Sequence, residues 1–158
     1  MASVGLSSAG TRVYYAFETE AGTRPTTGWK EIEDLTATPD YNEEPEQLDY
    51  TPLSEEKQHL TIPGLRPAAG SANYTANLTD AFMDAWDNLC DEYDTKKESN
   101  LGLWFVTVIK GLKRAFYMQV TPTRLGAPGL EVDSIVSIDA YVSPNSSGEW
   151  SSEKPVVD

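Results

Sequence analysis

This 158-residue chain has few of the side chains on which nucleophilic and metal-dependent catalysis depends. It contains one cysteine, Cys90, and one histidine, His59. A single cysteine excludes an internal disulfide and is typical of a reducing compartment. A catalytic Cys–His pair would require these two residues to meet in space, and the sequence gives no indication that they do. We therefore expect a surface histidine and a buried core cysteine.

The common signatures of phosphate-binding enzymes and of serine hydrolases are also absent. The chain has no G-x-S-x-G, no P-loop and no G-x-G-x-x-G. The acidic segment DYNEEPEQLD places Pro45 where an EF-hand calcium loop needs glycine for its sharp turn. We therefore expect no cofactor, no metal site of this kind and no enzymatic activity. Carboxylates are nevertheless abundant, so a carboxylate-dependent hydrolase stays open as an alternative.

Basic residues and long apolar runs are scarce. Twelve Lys and Arg stand against 25 Asp and Glu, which gives a formal net charge of −13. Tight nucleic-acid binding needs clustered Lys and Arg on the phosphates, so this balance argues against that class. The longest apolar run, residues 101–109, is about half of the ~18 residues that a membrane-spanning helix needs. The N-terminus lacks the pattern of a signal peptide, so we expect neither membrane insertion nor signal-directed export.

Strand-like alternation is the most frequent pattern that the chain does contain. It occurs over residues 11–18, 29–36, 68–78 and 131–142. Two further runs, 101–109 and 114–121, flank Gly111, which stands where a type II′ hairpin turn requires glycine. These patterns predict a single domain over residues 1–158 with a mainly β (α+β) fold. Its architecture would be an antiparallel β-sandwich or barrel with one flanking α-helix.

The helical pattern covers residues 80–98, with Thr79 or Asp80 as the N-cap. Apolar side chains fall on one face, which we expect to pack on the sheet: Phe82, Trp86, Leu89 and Tyr93. Carboxylates recur at the same spacing on the opposite face: Asp80, Asp84, Asp87, Asp91, Asp94 and Glu98. Repulsion between these carboxylates makes the helix marginal by itself, so burial of its apolar face must stabilise it.

The acidic charge is concentrated in residues 31–56, where Asp and Glu occur without a single Lys or Arg. Such a segment buries too little apolar surface to offset its ordering entropy of ~1–2 kcal/mol per residue. We therefore expect an extended acidic loop over about residues 37–62 that orders only against another surface. An N-terminal arm, residues 1–10, and a polar, loose C-terminal tail, residues 144–158 with Trp150 as its large anchor, complete the predicted organisation.

Five segments follow one another in a distinctive order. They are GTRVYYAFETEAGTRPTTGWKEIEDL, the acidic excursion, GSANYTANLTD with the helix AFMDAWDNLCDEY, the hairpin LWFVTVIKGLKRAFYMQV and the final strand EVDSIVSIDAYVSP. In this order the chain resembles the major tail (tail tube) proteins of long-tailed bacteriophages. That family shares its fold with the tube proteins of contractile tails and of type VI secretion.

The resemblance implies a structural virion protein that self-assembles in the host cytoplasm. Homohexameric rings would stack into a tail tube around a tape-measure protein, in contact with tail terminator and tip proteins. DNA would pass through the lumen during ejection without specific binding. An acidic wall suits that role, because DNA carries about one negative charge per 1.7 Å of its axis and a basic wall would hold it.

Two sets of residues are candidates for roles in such a tube. For the lumen we predict the polar face of the strand over residues 131–142: Glu131, Asp133, Ser137 and Asp139. For a loop that reaches a neighbouring ring, as the resemblance implies, we predict the acidic excursion: Asp40, Tyr41, Glu43, Glu44, Glu46, Asp49 and Tyr50. We expect this loop to order on assembly.

A carbohydrate-binding or adhesion module is the alternative from another class. It would have a similar sandwich, and exposed Trp29, Trp150 or tyrosine residues could stack on sugars. Such a module is normally secreted, and it would not explain the acidic excursion.

Overall fold

The computed structural model describes residues 5–42, 47–63, 72–145 and 148–156. Within them the fold is mainly β, with ten strands and one α-helix. The strands are β1 (Arg12–Phe17), β2 (Lys30–Glu31), β3 (Leu35–Ala37), β4 (Gln47–Asp49), β5 (Thr61–Pro63), β6 (Ala72–Asn77), β7 (Leu103–Val108), β8 (Ala115–Pro122), β9 (Ser137–Pro144) and β10 (Glu149–Ser151). The helix, α1, spans Asp80–Lys96 and continues as a 3-10 turn over Lys97–Ser99.

Eight of the strands form one curled antiparallel sheet. In space they run β2-β1-β7-β8-β9-β6-β3, and β10 pairs with the first half of β8. The edge strands β2 and β3 are separated in sequence only by residues 32–34. The sheet must therefore curl until its two edges approach each other, which gives a half-barrel. This architecture confirms the predicted fold class.

The single strand predicted over residues 29–36 is wrong. The structure has two short strands there, and β2 pairs with β1 whereas β3 pairs with β6. Asp34 lies between them at φ 67°, in the left-handed region that a continuous strand cannot contain. The short polar side chain of aspartate makes this conformation less costly than it is for most residues. The segment predicted as one strand instead contains the link that joins the two edge strands of the sheet.

The helix packs on one face of the sheet, and its burial pattern follows the period of the sequence. Phe82, Trp86 and Leu89 are buried, and Tyr93 packs partly buried against the same cluster. The Trp86 Nε1 donates a hydrogen bond to the Thr123 carbonyl oxygen over 2.9 Å. Burial of each large side chain contributes about 1.5–3 kcal/mol, which offsets the repulsion on the acidic face.

The N-terminus of α1 is capped as predicted. Thr79 has an extended backbone, and its side chain accepts a hydrogen bond from the Phe82 amide over 3.1 Å. The predicted hairpin is also present: β7 and β8 pair antiparallel, and Gly111 has φ 91°, which requires a residue without Cβ. No helix within the described ranges is long and apolar enough to span a membrane.

The C-terminal residues are not loose, contrary to the expectation from their polarity. β10 pairs with β8, and the Tyr117 hydroxyl donates a hydrogen bond to the Glu153 carbonyl oxygen over 2.6 Å. The Arg24 guanidinium contacts Glu149 and Glu153 at 2.6 and 3.1 Å and lies over the Tyr117 ring at 4.2 Å. These contacts cover the second face of the sheet, where Trp29 is completely buried.

The strand predicted over residues 131–142 begins six residues later, at Ser137. Its neighbour β6 ends opposite that residue, because Asn77 pairs with Ser137, and the Leu78 amide adds one more bond to the Val136 carbonyl oxygen over 3.1 Å before helix α1 begins. Asp133 has φ 61°, and the apolar side chains of Val132 and Ile135 are 90% and 84% exposed. The alternation in this part of the sequence therefore does not mark a strand.

Candidate functional site

The acidic excursion forms a hairpin that is separate from the main sheet. β4 and β5 pair only with each other, with Leu48 opposite Ile62. The Tyr50 amide continues the ladder by donating to the Leu60 carbonyl oxygen over 3.0 Å. The Thr51 hydroxyl oxygen then accepts from the Leu60 amide over 2.6 Å. The predicted extended loop is therefore, in part, a regular two-stranded arm.

This arm has one apolar face, although its sequence reads as acidic. Side chains two apart on a strand share a face, and cross-strand partners share it too. The rule places four apolar side chains together: Leu48, Tyr50, Leu60 and Ile62. Leu48, Tyr50 and Ile62 are 46%, 55% and 47% exposed. A two-stranded hairpin is marginally stable by itself in water, so this face is suited to burial against another surface.

The residues predicted for the inter-ring loop do not all lie on the arm. Asp49 and Tyr50 do, whereas Glu43, Glu44 and Glu46 lie outside the described residues. Asp40 is exposed and accepts a hydrogen bond from the Asn42 amide over 2.7 Å.

Tyr41 packs on the core of its own chain instead. Its ring stacks on Phe116 at 5.8 Å between centroids, and its hydroxyl lies 3.2 Å from the Tyr74 hydroxyl. Burial raises the pKa of both tyrosines. Tyr41 therefore attaches the base of the acidic segment to the half-barrel.

The four residues predicted to line a lumen fall into two structural groups. Ser137 and Asp139 lie on the same exposed face of β9, and the Asp139 carboxylate accepts a hydrogen bond from the Thr75 hydroxyl over 2.8 Å. Glu131 and Asp133 are exposed in the irregular segment before β9. They do not share its ladder, so one continuous polar strand face is not formed.

The outer face of α1 divides into a neutralised part and a bare part. Arg124 lies between Asp91 and Asp94 at 2.6 and 2.9 Å. The hydrogen bond from Arg124 is the main cause of the lowered pKa of Asp94, and Lys97 adds to it. Toward the N-terminus, three carboxylates are exposed and form no ion pair within the described part of the chain: Asp80, Asp84 and Asp87.

The candidate catalytic residues occupy ordinary structural positions. His59 is exposed in the connection between β4 and β5, with Nδ1 3.7 Å from the Asp49 carboxylate. Cys90 lies on the buried face of α1, and burial raises the pKa of its thiol to about 11. Across the described ranges, no group of three or more His, Cys, Asp or Glu side chains is arranged to hold a metal ion.

Two charged features of the structure were not predicted from the sequence. Glu18 is only 1% exposed and accepts a hydrogen bond from the Gly102 amide over 2.6 Å, and no sequence signal marks it as buried. The second feature is a group of exposed cations at the β7–β8 turn, which the run KGLKR in an acidic chain could have indicated.

No model of a known protein family matches the chain, and no curated protein is similar to it in sequence. Among solved structures, its fold is similar to that of a chain in the cryo-EM structure of the anti-feeding prophage (AFP) baseplate, which was 6-fold symmetrised. The superposition has a TM-score of 0.57 and covers 96% of this chain and 97% of the other, at 10% sequence identity. The two chains therefore share a fold over almost their whole lengths.

Proposed function

We propose that this chain is a structural protein of a phage-type tail and not an enzyme. Copies of it assemble into six-membered rings, and the rings stack into a tube around a tape-measure protein, with terminator and tip proteins at the ends. DNA passes through the lumen during ejection without specific binding. Assembly takes place in the cytoplasm of the host bacterium, and the product is part of the virion.

The observation that carries the proposal is the shared fold. The similar chain belongs to the baseplate of a prophage, in a structure that was 6-fold symmetrised. The similarity covers almost the whole of both chains. Fold by itself does not determine function, so the proposal also depends on features of this chain's own surface.

The β4–β5 arm is the first such feature. It presents an apolar face that a single copy leaves exposed, next to a strongly acidic segment. Exposed apolar surface of this kind marks sites of protein association. The arm is therefore suited to bind a neighbouring copy, either within a ring or in the next ring.

The net charge is the second feature. A tube of copies at −13 each would repel DNA phosphates, which favours passage over retention. Ser137 and Asp139, on the exposed face of β9, are our candidates for the lumen wall, with Glu131 and Asp133 in the segment that precedes the strand.

Electron microscopy of the purified protein tests the proposal directly. We expect negatively stained six-fold rings or tubes, and sedimentation velocity should show species that grow with protein concentration. Monodisperse monomers at millimolar concentration, with no rings on the grid, would contradict the proposal.

The two alternatives gain no support from the described residues. Trp29 is fully buried and cannot stack on a sugar, whereas Trp150 is 51% exposed and packs its ring on Phe116 at 5.3 Å. A hydrolase would need a free carboxylate pair in a cleft. The cleft lined by Glu31, Glu33 and Asp34 does not offer one readily, because Glu31 pairs with Arg12 at 3.6 Å and Asp34 accepts a hydrogen bond from the Thr79 hydroxyl over 2.8 Å.

A further inference from the structure

Four exposed cations lie together at one end of the half-barrel. Lys110, Lys113 and Arg114 belong to the turn between β7 and β8. Lys154 joins them from the C-terminal segment, because its Nζ donates a hydrogen bond to the Leu112 carbonyl oxygen over 2.7 Å. We call these four residues the basic tip.

The basic tip is unusual for this molecule because its charges are not compensated. No member forms an ion pair within the described residues, whereas most other cations do: Arg12, Arg24, Lys96, Lys97 and Arg124. In a chain with 25 acidic and 12 basic residues, carboxylate partners are plentiful. A bare cationic group in such a chain is therefore suited to a partner outside the molecule.

The C-terminal end of helix α1 packs at the other end of strands β1 and β8. The strand ends next to the tip are Arg12, which pairs with Val108, and Ala115. The helix instead contacts the distal ends: Lys96 lies 5.3 Å from the Phe17 ring, and the Tyr93 hydroxyl is 3.4 Å from the Thr121 hydroxyl. β8 runs seven residue steps from Ala115 to Pro122, so the two ends of this strand are ~23 Å apart.

The N-terminal half of α1 presents its bare carboxylates on the outward face. We call Asp80, Asp84 and Asp87 the acidic pole. The helix begins directly after β6, and the hydroxyl of its N-cap Thr79 donates a hydrogen bond to the Asp34 carboxylate, in the link between β2 and β3, over 2.8 Å. The molecule thus carries uncompensated positive charge at the β7–β8 turn and uncompensated negative charge on the N-terminal half of α1.

We propose that the basic tip of one copy binds the acidic pole of a second copy, head to tail. This inference rests on the proposed self-assembly and identifies one of its contacts. Because the two patches differ, the contact is heterologous and can repeat from copy to copy, which produces closed rings or open stacks. Opposite charges at the contact also offset the mutual repulsion of copies that each carry −13.

A second copy suits the basic tip better than a nucleic acid does. Four cations are few for phosphate binding, and the net charge of the whole chain repels a polyanion. Every copy carries one acidic pole as well as one basic tip. The two complementary surfaces are therefore always present at equal concentration.

The test uses two charge-reversed variants of the full chain. The tip variant is Lys110→Glu/Lys113→Glu and the pole variant is Asp84→Lys/Asp87→Lys; none of the four side chains forms an ion pair within the described residues. Two single variants give a matched comparison: Lys113→Glu removes one cation of the tip, and Lys30→Glu, on exposed β2, makes the same change of net charge outside the tip. Circular dichroism and thermal melting verify that each variant folds.

We expect each variant alone to raise the critical concentration for assembly by about tenfold or more, since like charges then face each other at the contact. The pole variant is the decisive one, because it lowers the net negative charge and should assemble better if only overall repulsion mattered. An equimolar mixture of both variants should restore assembly, because reversed tips then meet reversed poles. Lys30→Glu should behave like the unchanged chain, and assembly of the unchanged chain should weaken as salt rises from about 0.05 to 0.5 M.

Three results would overturn the inference. The first is that folded tip and pole variants assemble like the unchanged chain; the second is that their mixture assembles no better than either alone. The third is that a labelled DNA duplex binds the unchanged chain but not the tip variant, while self-assembly of both is equal. In each case the unchanged chain still forms rings or tubes, so the proposed function stands; if the unchanged chain forms none under any condition, that proposal fails instead.

Discussion

Arg124 is a single side chain that joins the polar face of α1 to the segment after β8. It lies between two carboxylates of the helix, and it is the reason why Asp91 and Asp94 do not simply repel each other. Exposed ion pairs usually contribute little to stability, so the effect of this contact is better measured on the carboxyl group itself.

We predict that Arg124→Gln raises the pKa of Asp94 toward its ordinary value. The folded-state pKa is lowered, chiefly by the hydrogen bond from Arg124. The linked stability is therefore fully present above the unfolded-state pKa and is lost as pH falls through the folded-state pKa. Carboxyl-carbon NMR titration measures the shift. Lys97→Gln is the comparison and should move the pKa less; an unchanged Asp94 pKa in Arg124→Gln would contradict the assignment.

Residue burial could be predicted where one period governs a whole element. Phe82, Trp86 and Leu89 follow the helical repeat and are buried. Trp29 and Glu18 are also buried, but no local pattern marks them. Their burial depends on covering segments that come from distant parts of the chain, such as the C-terminal residues that lie over Trp29.

At the scale of elements, the β4–β5 arm combines an acidic composition with an apolar face. The composition correctly indicated a segment that is poorly stabilised by itself. It could not indicate the apolar face, because Leu48 and Ile62 are fourteen positions apart in the sequence and become neighbours only through strand pairing.

We predict that Leu48→Ser/Ile62→Ser prevents assembly while the fold of the single chain is retained. The arm pairs only with itself and both side chains are about half exposed, so the free energy of unfolding should change by less than about 1 kcal/mol. Negative-stain microscopy and thermal melting measure the two effects. Gln47→Ser/Thr61→Ser, on the opposite face of the arm, is the matched control, and equal assembly of both double variants would exclude the apolar face from the contact.

We also predict that amide hydrogen exchange in residues 47–63 slows by at least about tenfold on assembly. In the single chain, few contacts protect the arm beyond its own ladder, and such regions open at low free-energy cost. Exchange in the β7–β8 hairpin should stay slow in both states. The same rate across the arm in monomers and tubes would remove its role as an assembly element.

The C-terminal strand β10 is a second element whose role came from tertiary contacts. We predict that ending the chain at Pro144 lowers the free energy of unfolding by at least about 3 kcal/mol, because Tyr117 loses its hydrogen-bond acceptor and Trp29 loses its cover. Urea unfolding measures the change. Arg24→Ala should lower the free energy of unfolding by less, since it removes only the cation over Tyr117 and two exposed ion pairs. An unchanged urea midpoint in the shortened chain would mean that the C-terminal tail is as loose as its composition indicates.

At the scale of the whole molecule, charge is the property that links the fold to the proposed tube. The chain is strongly acidic overall, yet the acidic charge is not uniform: the described part contains a neutralised helix end, a bare helix end and a basic tip. The arrangement is consistent with copies that bind one another but do not retain DNA.

We predict that Asp139→Lys slows the ejection of DNA from assembled particles. A cation on the exposed face of β9 would bind passing phosphates if that face lines the lumen. Single-particle ejection kinetics measure the effect, and Glu20→Lys supplies the same charge change at another exposed site. Asp139→Asn separates charge from the hydrogen bond to Thr75 and should eject like the unchanged chain. Unchanged kinetics in Asp139→Lys would place this face outside the lumen.

The sequence by itself determined the local elements of this protein. Period-two and period-3.6 patterns, the Thr79 cap and Gly111 fixed the helix, the hairpin and a mainly β fold, because these depend on residues that are close in sequence. Only the tertiary structure decided the break at Asp34, the covering of Trp29 and the late start of β9. It also decided which charged residues form ion pairs and which, in the basic tip and the acidic pole, do not. Each of these depends on which strands become neighbours in the curled sheet, and strand pairing joins residues whose distance along the chain carries no local signal.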